Sequence, residues 1–96
     1  MPHVRIAVDR IRPGSVEMVV RKVREGLLPL LRQQPGFVAY DVVATGDDEA
    51  VFISTWESRQ AAEGSIGLAA TWVRENLAEL IVSVENHVGE LRYSTR

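Results

Sequence analysis

PGFVAYDVVATGDDEAVFISTWE, residues 35–57, is the stretch from which the fold can be read. Two runs rich in β-branched and aromatic residues, 37–44 and 50–56, flank the polar cluster Thr45, Gly46, Asp47, Asp48 and Glu49, whose residue types suit a turn. The pattern predicts a β-hairpin. Val38, Val42, Val43, Val51, Phe52 and Ile53 leave few positions on either face without a large apolar side chain, so both faces need cover. Flanking helices can cover one face. A second copy of the chain is the expected cover for the other, which predicts a homodimer.

Upstream, residues 3–11 alternate Val4, Ile6 and Val8 against Arg5, Ala7 and Asp9, the period of a strand with one well-buried face. Pro13-Gly14 ends it, and Ser15 then stands at an N-cap position with Glu17 in the first turn. Val16, Val19, Val20, Val23, Leu27, Leu30 and Leu31 recur at helical spacing. Gly26 and Pro29 predict a kink or break near residues 26–29, since proline removes a backbone donor and clashes with the carbonyl of Glu25.

Downstream, Ser58 can cap a short helix over 59–63 that Gly64-Ser65 and Gly67 interrupt. A second helical run places Ala69, Trp72, Val73, Leu77, Leu80 and Ile81 on one face. A last strand is expected over about 82–92, with Gly89 as the candidate bulge. The order β-α-β-β-α-β predicts a ferredoxin-like α+β fold: a four-stranded antiparallel sheet, strands near 3–11, 37–44, 50–57 and 82–92, both helices on one face.

The 96 residues, read as one domain over 1–96, carry eleven basic and thirteen acidic side chains with no basic stripe, so no nucleic-acid partner is expected. There is no cysteine for a disulfide, a thiolate nucleophile or a thiolate-bound metal. No run is apolar enough to span a bilayer and no signal-peptide core interrupts the charged start, so no membrane partner and a cytoplasmic location are expected.

The order of elements, with Pro35-Gly36-Phe37, Trp56-Glu57-Ser58, Ala61-Ala62 and Gly89-Glu90, resembles the antibiotic-biosynthesis monooxygenase superfamily of dimeric α+β barrels along nearly the whole chain. That resemblance implies homodimers built by packing the open faces of two sheets. It also implies one of two chemistries, quinone-forming oxygenation without metal or flavin, or haem degradation. The quinone-forming type has an Asn four residues before the Trp that ends the third strand and a Tyr six after it; here those positions hold Phe52 and Ala62, and only Trp56 matches. The haem-degrading type has an Asn in the first strand, a Trp eight residues beyond the strand-ending Trp and a His in the second helix. Here Asp9, Gly64 and Ala70-Thr71-Trp72 occupy them, which argues against haem degradation.

His87 is the candidate catalytic residue, because an imidazole can take a phenolic proton near neutral pH; the alternative is a structural or solvent-facing histidine. Trp56, Trp72 and Tyr40 are the candidate substrate-binding residues, and each has the alternative of plain packing. His3 and His87 lack any metal-ligand spacing, and there is neither a GxGxxG nor a P-loop, so no cofactor and no metal are expected. The expected function is cofactor-independent monooxygenation of a phenolic or polycyclic aromatic small molecule. The alternative is a non-catalytic small-molecule-binding or structural homodimer of the same fold. A pocket is expected between the sheet and a second helical region loosened by Gly64 and Gly67.

Overall fold

A computed structural model describes residues 1–95. The hairpin forms from β2 (Phe37–Gly46) and β3 (Glu49–Trp56), with Gly46 paired to Glu49 across a tight turn. Thr45 Oγ1 donates to Glu49 Oε1 at 2.8 Å across it. The entry is fixed by Gly36, whose φ of +87° favours glycine and whose Cβ, if present, would lie 3.2 Å from that of Ala61. Its carbonyl accepts from the Glu57 N–H at 2.8 Å, which ties both ends of the hairpin together.

β1 (His3–Ile11) inserts beside β3, and β4 (Ile81–Glu90) pairs with the other edge of β1, giving the antiparallel order β2-β3-β1-β4. This is the ferredoxin-like α+β arrangement. Between β1 and β2 the chain runs through α1 (Val16–Lys22), a π-helical turn (Val23–Leu27) and α2 (Leu28–Arg32). Pro29 therefore does not break the helix. A π turn just upstream re-pairs the backbone where proline leaves a carbonyl without its donor.

Four sequence expectations need correction here. α3 (Arg59–Asn76) is one continuous helix, not two. Gly64 and Gly67 each cost about 1 kcal/mol of propensity, but Ala62, Ser65 and Ala69 bury the other face and outweigh it. Ser58 does cap this helix, its Oγ accepting from the Ala61 N–H at 3.1 Å, whereas Ser15 makes no side-chain cap bond on α1. The irregularity on β4 lies opposite Arg10 and Ile11, and Gly89 pairs regularly with Val4.

The fourth correction decides where the site can be. On β1 it is Arg5, Ala7, Asp9 and Ile11 that are buried under the helices, while Val4, Ile6 and Val8 occupy the opposite, open face. The register carries this across the sheet: Phe52 and Ser54 share the helix side with Arg5 and Ala7, whereas Val51 and Ile53 share the open side with Val8 and Ile6.

Gly26 lies in the π turn against Trp72. A Cβ there would stand 2.6 Å from Trp72 Cζ2, so the indole would have to move. Gly26→Ala should therefore destabilise the fold by about 1–2 kcal/mol despite alanine's helix propensity. A thermal melt lowered by roughly 4–16 °C would show it, and an unchanged or raised midpoint would contradict the close packing.

Candidate active site

β1 supplies the polar part of the site. Arg5 and Asp9 stand four residues apart on one face of the strand, with Ala7 between them too small to fill the space beneath α3. A cavity of about 220 Å³ results. Phe52 and Tyr40 form one wall, their rings stacked at 6.4 Å and 30°. Val23 and Leu27 of the π turn and Ala69, Val73 and Arg74 of α3 complete it. The exposed lining residues Arg74, Ala78, Val84 and Asn86 place its mouth between the end of α3 and β4.

Arg5 and Asp9 are each only 6% exposed. Arg5 donates from Nε to Asn86 Oδ1 at 2.9 Å, which holds the guanidinium across the sheet toward β4. Burial lowers the Arg5 pKa, and the proximity of Tyr40 and Asp9 opposes the shift. Asp9 Oδ1 is buried without a hydrogen-bond partner. Desolvation raises the Asp9 pKa to about 6, a rise that the charge of Arg5 limits. Burial also lifts the Tyr40 hydroxyl above the ordinary phenol range, against the pull of Arg5 and with a smaller push from Asp9. A carboxylate that changes charge near neutral pH, facing an aromatic wall and a cation, can accept a proton from a bound acid and stabilise the anion left behind.

Of the four residues singled out from sequence, only Tyr40 lines this cavity. Trp56 is 1% exposed at the far end of the sheet. It packs edge-on to Phe37 at 5.5 Å and borders a separate space of about 190 Å³ with Gln34, Gly64 and Ser65. Trp72 is half-buried against Gly26 and lines neither space. His87 pairs with Ile6, so its side chain lies on the open face, exposed and 3.2 Å from Glu85 Oε2. The condition for its role, a side chain turned toward the helices, is not met, because the register puts Asn86 on that side instead. His87→Ala should leave turnover within about twofold of wild type, since nothing in the cavity changes; a loss of 10²-fold or more would restore the imidazole as base.

Asp9 and Arg5 were missed as a pair because Val4, Ile6 and Val8 looked like the buried face. The available signal was the hairpin, whose second apolar face already required a continuation on β1. Among the described residues no three His, Asp or Glu side chains converge as a metal site would need, and no helix is long and apolar enough to cross a membrane.

The sequence profile of the antibiotic biosynthesis monooxygenase family matches residues 2–66. No curated protein sequence matches the chain. Among solved structures, SnoaB, a cofactor-independent oxygenase from Streptomyces nogalater, superposes with a TM-score of 0.76 at 16% identity over 98% of this chain and 96% of that one. A monooxygenase of Streptomyces coelicolor, solved with nanaomycin D, gives 0.75 at 20% identity over 96% and 88% of the two chains. A Nitrosomonas europaea protein of unknown function gives 0.79 at 16% identity over 99% and 93%. At such identities the likeness establishes a shared fold.

Proposed function

The chain belongs to the antibiotic biosynthesis monooxygenase family, and on that premise we propose that it is a cofactor-independent monooxygenase acting on a small phenolic aromatic in the cavity beneath α3. The observation that carries this reading is Asp9: a buried carboxylate with an unpaired oxygen and a pKa near 6, set beside a buried cation and an aromatic wall. Asp9 takes the phenolic proton, and the positive charge of Arg5 elsewhere on the cavity wall favours the anion left on the ring. The electron-rich ring transfers an electron to O₂, the resulting pair collapses to a ring peroxide anion, and Asp9 returns the phenolic proton to it, giving the hydroperoxide and a carboxylate free to act again. Asp9 then takes the proton on the same carbon, and the O–O bond breaks as that proton leaves with the departing hydroxide as water. Phenol and O₂ thus become quinone and water, with every electron drawn from the substrate.

Two related structures support the oxygenase assignment by their chemistry, one described as a cofactor-independent oxygenase and the other as a monooxygenase. Tyr40 and Phe52 stack on the substrate ring, while Trp56 and Trp72 belong to the scaffold. Oxygen electrode traces with hydroquinone- and naphthol-type substrates test the reading. Stoichiometric uptake with quinone formation is expected, and binding without uptake by any of them would favour a ligand-binding dimer.

The functional unit is a homodimer joined through the open sheet face. Ile6 and Val43 are 37% and 47% exposed there, alongside Val51 and Ile53. An apolar patch of this kind on one side of a sheet calls for a covering surface. Light scattering at micromolar concentration should give twice the chain mass, and Ile6→Glu should shift it to the monomer. A wild-type monomer would refute this assembly.

A further inference from the structure

We propose that the cavity beneath α3 is built for a monoanionic aromatic acid of one or two fused rings, its carboxylate held by the fork of Arg5 and its ring against Tyr40 and Phe52. This deepens the reading above and rests on it for the identity of the substrate site.

Charge on the cavity wall is the first observation. The lining carries two cations, Arg5 and Arg74, and one acid, Asp9, so it is net positive even with Asp9 ionised, in a chain whose net charge is −2. The second is the state of Arg5. Its Nε is committed to Asn86, and none of the ion pairs among the described residues involves Arg5 or Asp9. A guanidinium that is 6% exposed and has no carboxylate in contact is costly unless a ligand completes it. Arginine's planar donors match a carboxylate in bidentate fashion better than they match a single phenol oxygen. The third is size. At about 220 Å³ the cavity falls below the roughly 300–1,000 Å³ of pockets for drug-sized ligands, which restricts the ring system to one or two rings.

The reaction then has separate handles at its two ends: Arg5 holds the carboxylate, and Asp9, four residues along on the same face of β1, takes the ring hydroxyl proton. Arg74 at the mouth, bonded to Thr71 Oγ1 at 3.5 Å, draws the anion in without being needed to hold it.

Calorimetric titration of the whole chain with 2-naphthoate and its neutral isostere 2-naphthamide tests this without reference to oxygen. Naphthoate should bind about 10- to 100-fold more tightly, the difference a charged hydrogen-bonded contact makes. Arg5→Gln should erase the preference, and Arg5→Lys, which keeps the charge and loses the fork, should retain part of it. Arg74→Gln, at an exposed position where folding is not at stake, should weaken naphthoate by a few-fold and leave naphthamide unchanged. Equal binding of the two ligands, no binding of either, or a preference that survives Arg5→Gln in a folded variant would overturn the proposal. Naphthoate binding with no turnover of any hydroxy acid would instead remove the oxygenase reading and leave the anion site standing. Turnover of neutral phenols with no preference for acids would do the reverse.

Discussion

Asp9→Asn should abolish nearly all oxygen uptake, by about 10²–10⁴-fold in kcat, while making the folded chain more stable at neutral pH. Both effects follow from one fact, that the carboxylate is buried with an oxygen left unpaired. Asparagine keeps the shape and cannot accept the proton. It also removes a charge that the fold tolerates poorly. Desolvation lifts the Asp9 pKa from 3.8 to about 6, so between those values the folded state holds a proton that the unfolded chain has released. Stability supplied by this group is therefore fully present below about pH 4, falls as the pH rises toward 6, and stays lower above it. The linkage amounts to about 3 kcal/mol at pH 7.

Two measurements check this. Wild-type stability from denaturant titration should fall between pH 4 and 6, and the fall should disappear in Asp9→Asn. Wild-type kcat/KM should rise through about pH 6 and level off, because the base works only when ionised. An inactive variant that is also less stable would mean that Asp9 serves the fold and not the chemistry.

How much of this could be read from the chain depends on whether the deciding interactions are local. The hairpin was legible because its strands and its turn are specified by neighbouring residues: β-branched and aromatic runs on either side of Thr45-Gly46-Asp47-Asp48-Glu49. The four strands lie within about two residues of their expected bounds for the same reason. Gly64 and Gly67 misled because local propensity argued for an interruption that the buried face of α3 overrides. β1 misled more deeply. Alternation shows that a strand has two different faces, but which face lies under the helices is set by its partners, and there the polar-looking side won. The same register carried His87 to the open face and brought Asn86 to Arg5. Strand identity is thus a local property and strand facing is not, and the candidate site depends entirely on the second.

Trp56 offers the other large effect, and here fold and function can be separated cleanly. Trp56→Ala should cost about 3–5 kcal/mol, since the indole is 1% exposed, packs edge-on to Phe37 and closes the end of the core where β3 meets α3. For a chain of this size that is a large part of the total stability, and urea midpoints should collapse accordingly. Trp56→Phe is the informative partner. Nε1 is buried with no hydrogen-bond partner, so removing it forfeits nothing inside the protein and relieves an unsatisfied donor. Phenylalanine loses some volume next to the 190 Å³ space that already borders the ring, which adds a modest cavity cost. Trp56→Phe should therefore stay within about 1–2 kcal/mol of wild type. Its turnover should be unchanged, because Trp56 lies outside the cavity that holds Arg5, Asp9 and Tyr40. A fall of 10²-fold in a stable Trp56→Phe variant would show that the indole N–H donates to substrate and that the reaction takes place at the other end of the sheet.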